Sequence, residues 1–136
     1  MKEKEITVVM VEPGKYPKVT KVTTLKNDLD SLQKAVSIGA DYQGLIEILG
    51  IDDGVCLLCN EEGKLIGLDL NRSIGYDVIS GVFYIVGEDN HGNLTSLSEE
   101  LQAKYLEEFW APEYWTTQAR PTALYIDPAT SNTKPY

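Results

Sequence analysis

Histidine, arginine and cysteine are scarce in this chain. Its 136 residues hold one histidine, two arginines and two cysteines. A Ser-His-Asp triad would have to recruit His91, which lies in the polar loop Glu88-Asp-Asn-His-Gly-Asn93 and reads as a solvated loop residue. A zinc site of thiolates and imidazoles takes four ligands. Cys56, Cys59 and His91 fall short of that unless carboxylates join them. No apolar run approaches the roughly 20 residues that span a bilayer. The start, Met1-Lys-Glu-Lys-Glu5, leads into a short apolar run and does not look like a signal peptide. The expectation is a cytoplasmic protein with no membrane partner. No Gly-x-Gly-x-x-Gly, Walker loop, Gly-x-Ser-x-Gly or His-Glu-x-x-His occurs. No catalytic residue, metal or cofactor is therefore expected.

Acid is plentiful. The net charge is −9, and it is unevenly spread. Residues 1–26 carry six lysines against three glutamates. Residues 27–119 carry 17 acids against Lys34, Lys64, Arg72 and Lys104. Such a body repels nucleic-acid phosphates and anionic lipids, so no direct nucleic-acid binding is expected. It suits imitation of nucleic acid or docking on a basic partner. Solubility alone is the plain alternative. Apolar residues make up 43%, enough for a core in one domain of this length.

The Cys56/Cys59 spacing matches redox pairs and half zinc sites. It falls inside Val55-Cys-Leu-Leu-Cys59, which reads as a strand. Strand positions i and i+3 face opposite ways, so two separate buried thiols are expected.

Ile6–Val11 and Val19–Thr24 are rich in β-branched residues and are separated by Pro13-Gly14 and Pro17, which predicts a hairpin. Asn27 reads as a helix N-cap, with Leu29, Leu32 and Val36 at helical spacing over 28–37 and Gly39 as the stop. Leu45–Leu49, Val55–Cys59, Lys64–Leu68 and Val82–Val86 read as strands, the middle two as a hairpin about Asn60-Glu-Glu-Gly63. Ser96-Leu-Ser-Glu99 has the capping-box pattern. Leu97, Leu101, Tyr105 and Phe109 then recur every four residues and predict a helix over 97–110, stopped by Pro112. Trp110 and Trp115 flank that proline, either plugging the core edge or standing exposed for a partner. Leu124–Ile126 suits an edge strand.

The pattern implies an α+β domain over 1–126, with an antiparallel or mixed sheet of about six strands and two helices on one face. Residues 127–136 read as a flexible tail.

The most informative stretch is Gly67–Arg72 followed by Tyr76–Gly87, where polar side chains interrupt apolar strands. Arg72 is suited to gripping a carboxylate or phosphate through two parallel hydrogen bonds. An internal bridge to Asp69 or Asp77 is its structural alternative. Asn71 offers donor and acceptor, or a turn. Tyr76 and Tyr84 are flat surfaces for stacking. The candidate ligand-binding set is Asn71, Arg72, Tyr76, Asp77 and Tyr84.

Several segments carry a resemblance in order: Ile6–Pro13, Leu29–Val36, Val55–Gly63, Gly67–Arg72 and Asp77–Gly87. Over about residues 5–110 the chain resembles a domain-of-unknown-function family, number 3846, carried by bacteriophages and conjugative elements of gut Firmicutes. Its members tend to sit among accessory and antirestriction genes. The resemblance implies a mobile-element setting and brings no established reaction or functional residues. It favours a non-enzymatic counter-defence protein that sequesters a small anionic or nucleotide-like signalling ligand, as a homo-oligomer with a site between subunits. The alternatives are an acidic DNA mimic acting on a host defence protein, a carboxylate-based hydrolase, and an interaction module using the tryptophans and tail.

Overall fold

The computed structural model describes residues 3–14, 20–75 and 77–113, together with the backbone of 124–127 and 132–135. The strands are β1 (Glu5–Val11), β2 (Thr20–Lys26), β3 (Ile46–Asp52), β4 (Val55–Asn60), β5 (Leu70–Ile74), β6 (Asp77–Ser80), β7 (Phe83–Glu88) and β8 (Leu94–Thr95). The helices are α1 (Leu29–Ala35) and α2 (Glu99–Glu108). The main sheet runs β2-β1-β7-β4-β3, every pair antiparallel, with β8 continuing along β7. A second hairpin, β5–β6, packs on it through Ile79 and Ile74. The fold is α+β, with a six-stranded sheet as expected.

The sides of the sheet depart from expectation. Val9, Val11, Leu57, Phe83 and Ile85 form one core with Tyr105 and Phe109 at α2. Their sequence neighbours Val8, Cys56, Leu58, Tyr84 and Val86 form another with Leu32 and Val36 at α1. Alternate strand residues point to opposite faces. The two helices therefore cover opposite faces, not one. This is why β4 is buried at all six positions. A strand covered on both sides has no face for polar residues.

Both helix caps fall close to their expected places. Asp28, rather than Asn27, caps α1, its carboxylate accepting from the Ser31 N–H at 2.8 Å. Asn27 instead donates to the carbonyls of Glu3 and Leu94, tying the start of the chain to β8. Ser98, rather than Ser96, caps α2. Ser96 Oγ accepts from Thr7 N–H and donates to Glu3. In each case the nearer polar residue is drawn off by a distant strand. Leu97, Tyr105 and Phe109 are buried, and Leu101 is half-buried.

Lys64–Leu68 is not a strand. Residues 61–67 are consecutive turns that close over β6, because β4 already has β3 and β7 as partners. Gly63 makes this closure possible, since a Cβ there would lie 2.6 Å from the Ser80 carbonyl oxygen. Leu124–Asp127 (β9) is a strand, but it pairs with Asn132–Pro135 (β10), inside the expected tail, and not with the main sheet.

Candidate functional site

Asn71 and Arg72 are adjacent and both buried, at 1% and 2% exposure. Neighbours in a regular strand would face apart. The β5–β6 register slips between Leu70 and Ser73, so that two residues stand opposite Ile79 alone. That bulge turns both side chains inward. Asn71 Nδ2 donates to the carbonyls of Val11 and Gly81, at 2.9 and 2.8 Å. Arg72 Nη1 donates to Asn71 Oδ1, and Nη2 to the Phe109 carbonyl, each at 2.8 Å. Thr20 Oγ1 donates to the same carbonyl at 2.7 Å. That carbonyl closes α2, where a helix concentrates negative partial charge. Arg72 is thus a buried latch holding the end of α2 to β2 and β5. Neither Asp69 nor Asp77 bridges it. Burial pulls its pKa down, and the charge of Glu113 partly offsets this. Glu113 itself accepts from the N–H and hydroxyl of Ser73.

The remaining expected residues lie elsewhere. Tyr84 is on the opposite face, its hydroxyl donating to the Ala35 carbonyl at 2.8 Å, and burial raises its pKa. Asp77 is exposed and paired with Lys64, which lowers its pKa. Tyr76 and Trp115 lie outside the described residues. Trp110 is 43% exposed. The structure brings together Asn71 and Arg72 but joins neither Tyr84 nor Asp77 to them.

The two cysteines are free and belong to separate cores, as strand alternation requires. Cys56 donates to Glu88 at 3.0 Å and Cys59 to Glu47 at 3.8 Å. Burial first, and then the neighbouring carboxylate, pushes both thiols up to about 12. Such thiols are poor nucleophiles near neutrality.

Two clefts among the described residues bear on the site. One, about 250 Å³, lies between the 61–67 turns and β6, and includes Glu47, Glu61, Glu62, Lys64, Asp77 and Ser80. The other, about 260 Å³, is bordered by Glu12, Asp69, Gly39, Gly67 and Gly81. Carboxylates outnumber cations in both, so each favours a cation over an anion. Among the described residues, no three of His, Cys, Asp and Glu are placed to hold a metal ion. Glu47 and Ser80 gave no local signal in the sequence, because the fold alone brings them to Asp77.

Neither a curated protein nor a solved structure matches the chain. A family described as a domain of unknown function, DUF3846, matches residues 6–110, and the chain belongs to that family.

Proposed function

We propose that this chain is a non-enzymatic accessory protein of a bacteriophage or conjugative element that docks through its acidic surface on a basic host protein, as a mimic of DNA. One observation carries this reading. None of the 17 acids in residues 27–119 is buried, whereas the cations among them are all occupied. Lys34 pairs with Asp30, Lys64 with Asp77 and Lys104 with Asp52, and Arg72 is inside. Fourteen carboxylates of the body are left without a lysine of the body against them. A surface of one sign steers and docks a partner of the other. Sequestration of an anionic ligand draws less support, because Arg72 is committed to carbonyls and both clefts are acidic.

The test is competition between the chain and a fluorescent DNA duplex for purified restriction enzymes of Firmicutes hosts, across a salt series. The expected result is displacement of the duplex at low salt, fading as salt screens both contacts. Failure to displace it at any salt concentration removes the reading.

A further inference from the structure

The cleft between the 61–67 turns and β6 holds more than a cluster of acids. Ser80 lines it, is 4% exposed, and its Oγ has no hydrogen-bond partner among the described residues. A buried hydroxyl without a partner is costly and uncommon, and a donor entering the cleft relieves it. The surroundings are apolar where a protein surface is ordinarily polar. Leu65, in the cleft wall, is 81% exposed. Leu45 is 60% exposed, and its carbonyl accepts from Glu61. Tyr42 is 53% exposed, and its hydroxyl donates to Glu62. Carboxylates within and apolar side chains around them match a long cationic side chain, whose stem lies on apolar surface while its head reaches the acids.

We infer that this cleft receives an arginine side chain from a basic protein partner, with Asp77 and its neighbouring glutamates accepting from the guanidinium and Ser80 Oγ accepting a further N–H. The inference rests on the acidic-docking reading and names where that docking centres. Lys64 holds the place in the free protein. Its pair with Asp77 is exposed on both sides, so exchanging it for a better-shaped cation loses little. Arginine suits the cleft better than lysine because its planar fork offers five donors to several acceptors at once. A metal ion is the poorer occupant, for want of a converging ligand set among the described residues.

The experiment is an amide-resolved NMR titration of the full chain with N-acetyl-arginine amide, alongside the lysine and citrulline analogues. Citrulline keeps the shape and loses the charge. The expected result is saturable shifts at Gly63, Leu65, Val78 and Ser80, weaker with lysine and absent with citrulline. Asp77→Asn should weaken binding about tenfold, the scale of one charged hydrogen bond. Ser80→Ala should weaken it about threefold without lowering the melting temperature, since it removes an unpartnered group. Glu107→Gln on α2 should leave it unchanged. Shifts spread evenly over the acidic surface, or Asp77→Asn binding like the parent with its fold intact, overturn the inference. If the chain displaces DNA but arginine amide does not single out this cleft, the docking reading stands and the cleft falls. If neither occurs, both fall.

Discussion

Arg72 shows how one buried charge can serve an element far from it in sequence. Its acceptor, the Phe109 carbonyl, is 37 residues away, and among the described residues its guanidinium reaches no carboxylate directly. Arg72→Ala should cost about 3–5 kcal/mol in urea unfolding, because it strands polar groups in a dry site. Arg72→Met, which keeps the stem, should cost less, since apolar replacements of buried ions are often tolerated. Equal losses from the two would show that the guanidinium latch, not the packing of the stem, carries the effect. The thiols make a second residue-scale case. Burial pushes both thiols up from the ordinary 9.0 to about 12. Their folded pKa is raised, so the stability they contribute is complete below about pH 9 and is lost as pH climbs toward 12. Alkylation at pH 8 should therefore be slow in the native protein and fast in urea. Fast native alkylation would place the thiols in solvent.

At the scale of elements, α2 offers a clean comparison between two serines. Ser98→Ala should remove about 1 kcal/mol, the usual worth of an N-cap. Ser96→Ala should instead loosen the N-terminal strand, where Thr7 bonds to it. Amide exchange would separate the two, with the first turn of α2 responding to one and Thr7 to the other. Phe109→Ala should cost about 3–5 kcal/mol, since its ring meets Phe83 edge-on and stacks on Tyr105. Half-buried Leu101 should cost less than Phe109. The stripe Leu97–Phe109 was legible because helical periodicity is local. The strands β4 and β7 were legible for the same reason. Their uninterrupted apolar runs carry a further signal. Val55-Cys-Leu-Leu-Cys59 has no polar alternation, which belongs to a sheet covered on both faces and rules out an open one. The cap assignments missed by one or two residues, because Asn27 and Ser96 answer to Leu94 and Thr7, which no local window contains. The site residues were least legible. Residue type alone makes Arg72 a ligand anchor or a partner of Asp69 or Asp77, while its bulge and its partner at the end of α2 exist only in the folded chain.

For the whole molecule, charge sets the conditions of stability. Asp30 and Asp77 are held below the usual 3.8 chiefly by hydrogen bonds to Lys34 and Lys64. Asp52 is held down first by the Asp53 N–H and then by Lys104. A depressed pKa means stability that is present above the unfolded value and lost as pH falls through the folded one. The small stability that these carboxylates contribute should thus fade as pH falls below about 4. Salt should act the other way on the remaining carboxylates. Screening weakens three exposed ion pairs of little worth but relieves repulsion across a net charge of −9. The melting temperature should rise with added sodium chloride, and a fall would show that the ion pairs dominate. The strand order has a further result. One free edge of the sheet, β2, displays Lys21 and Lys26, while the other, β3, displays Glu47 and Asp52, with Asp53 in the turn beyond. The two signs of charge are separated by the full width of the sheet. These edge charges contribute an electric moment along the direction of the sheet's hydrogen bonds, and near a cationic surface that contribution exerts a torque. In the docking proposed above, that torque would turn the β3 side forward before contact, where Glu47 opens onto the acidic cleft.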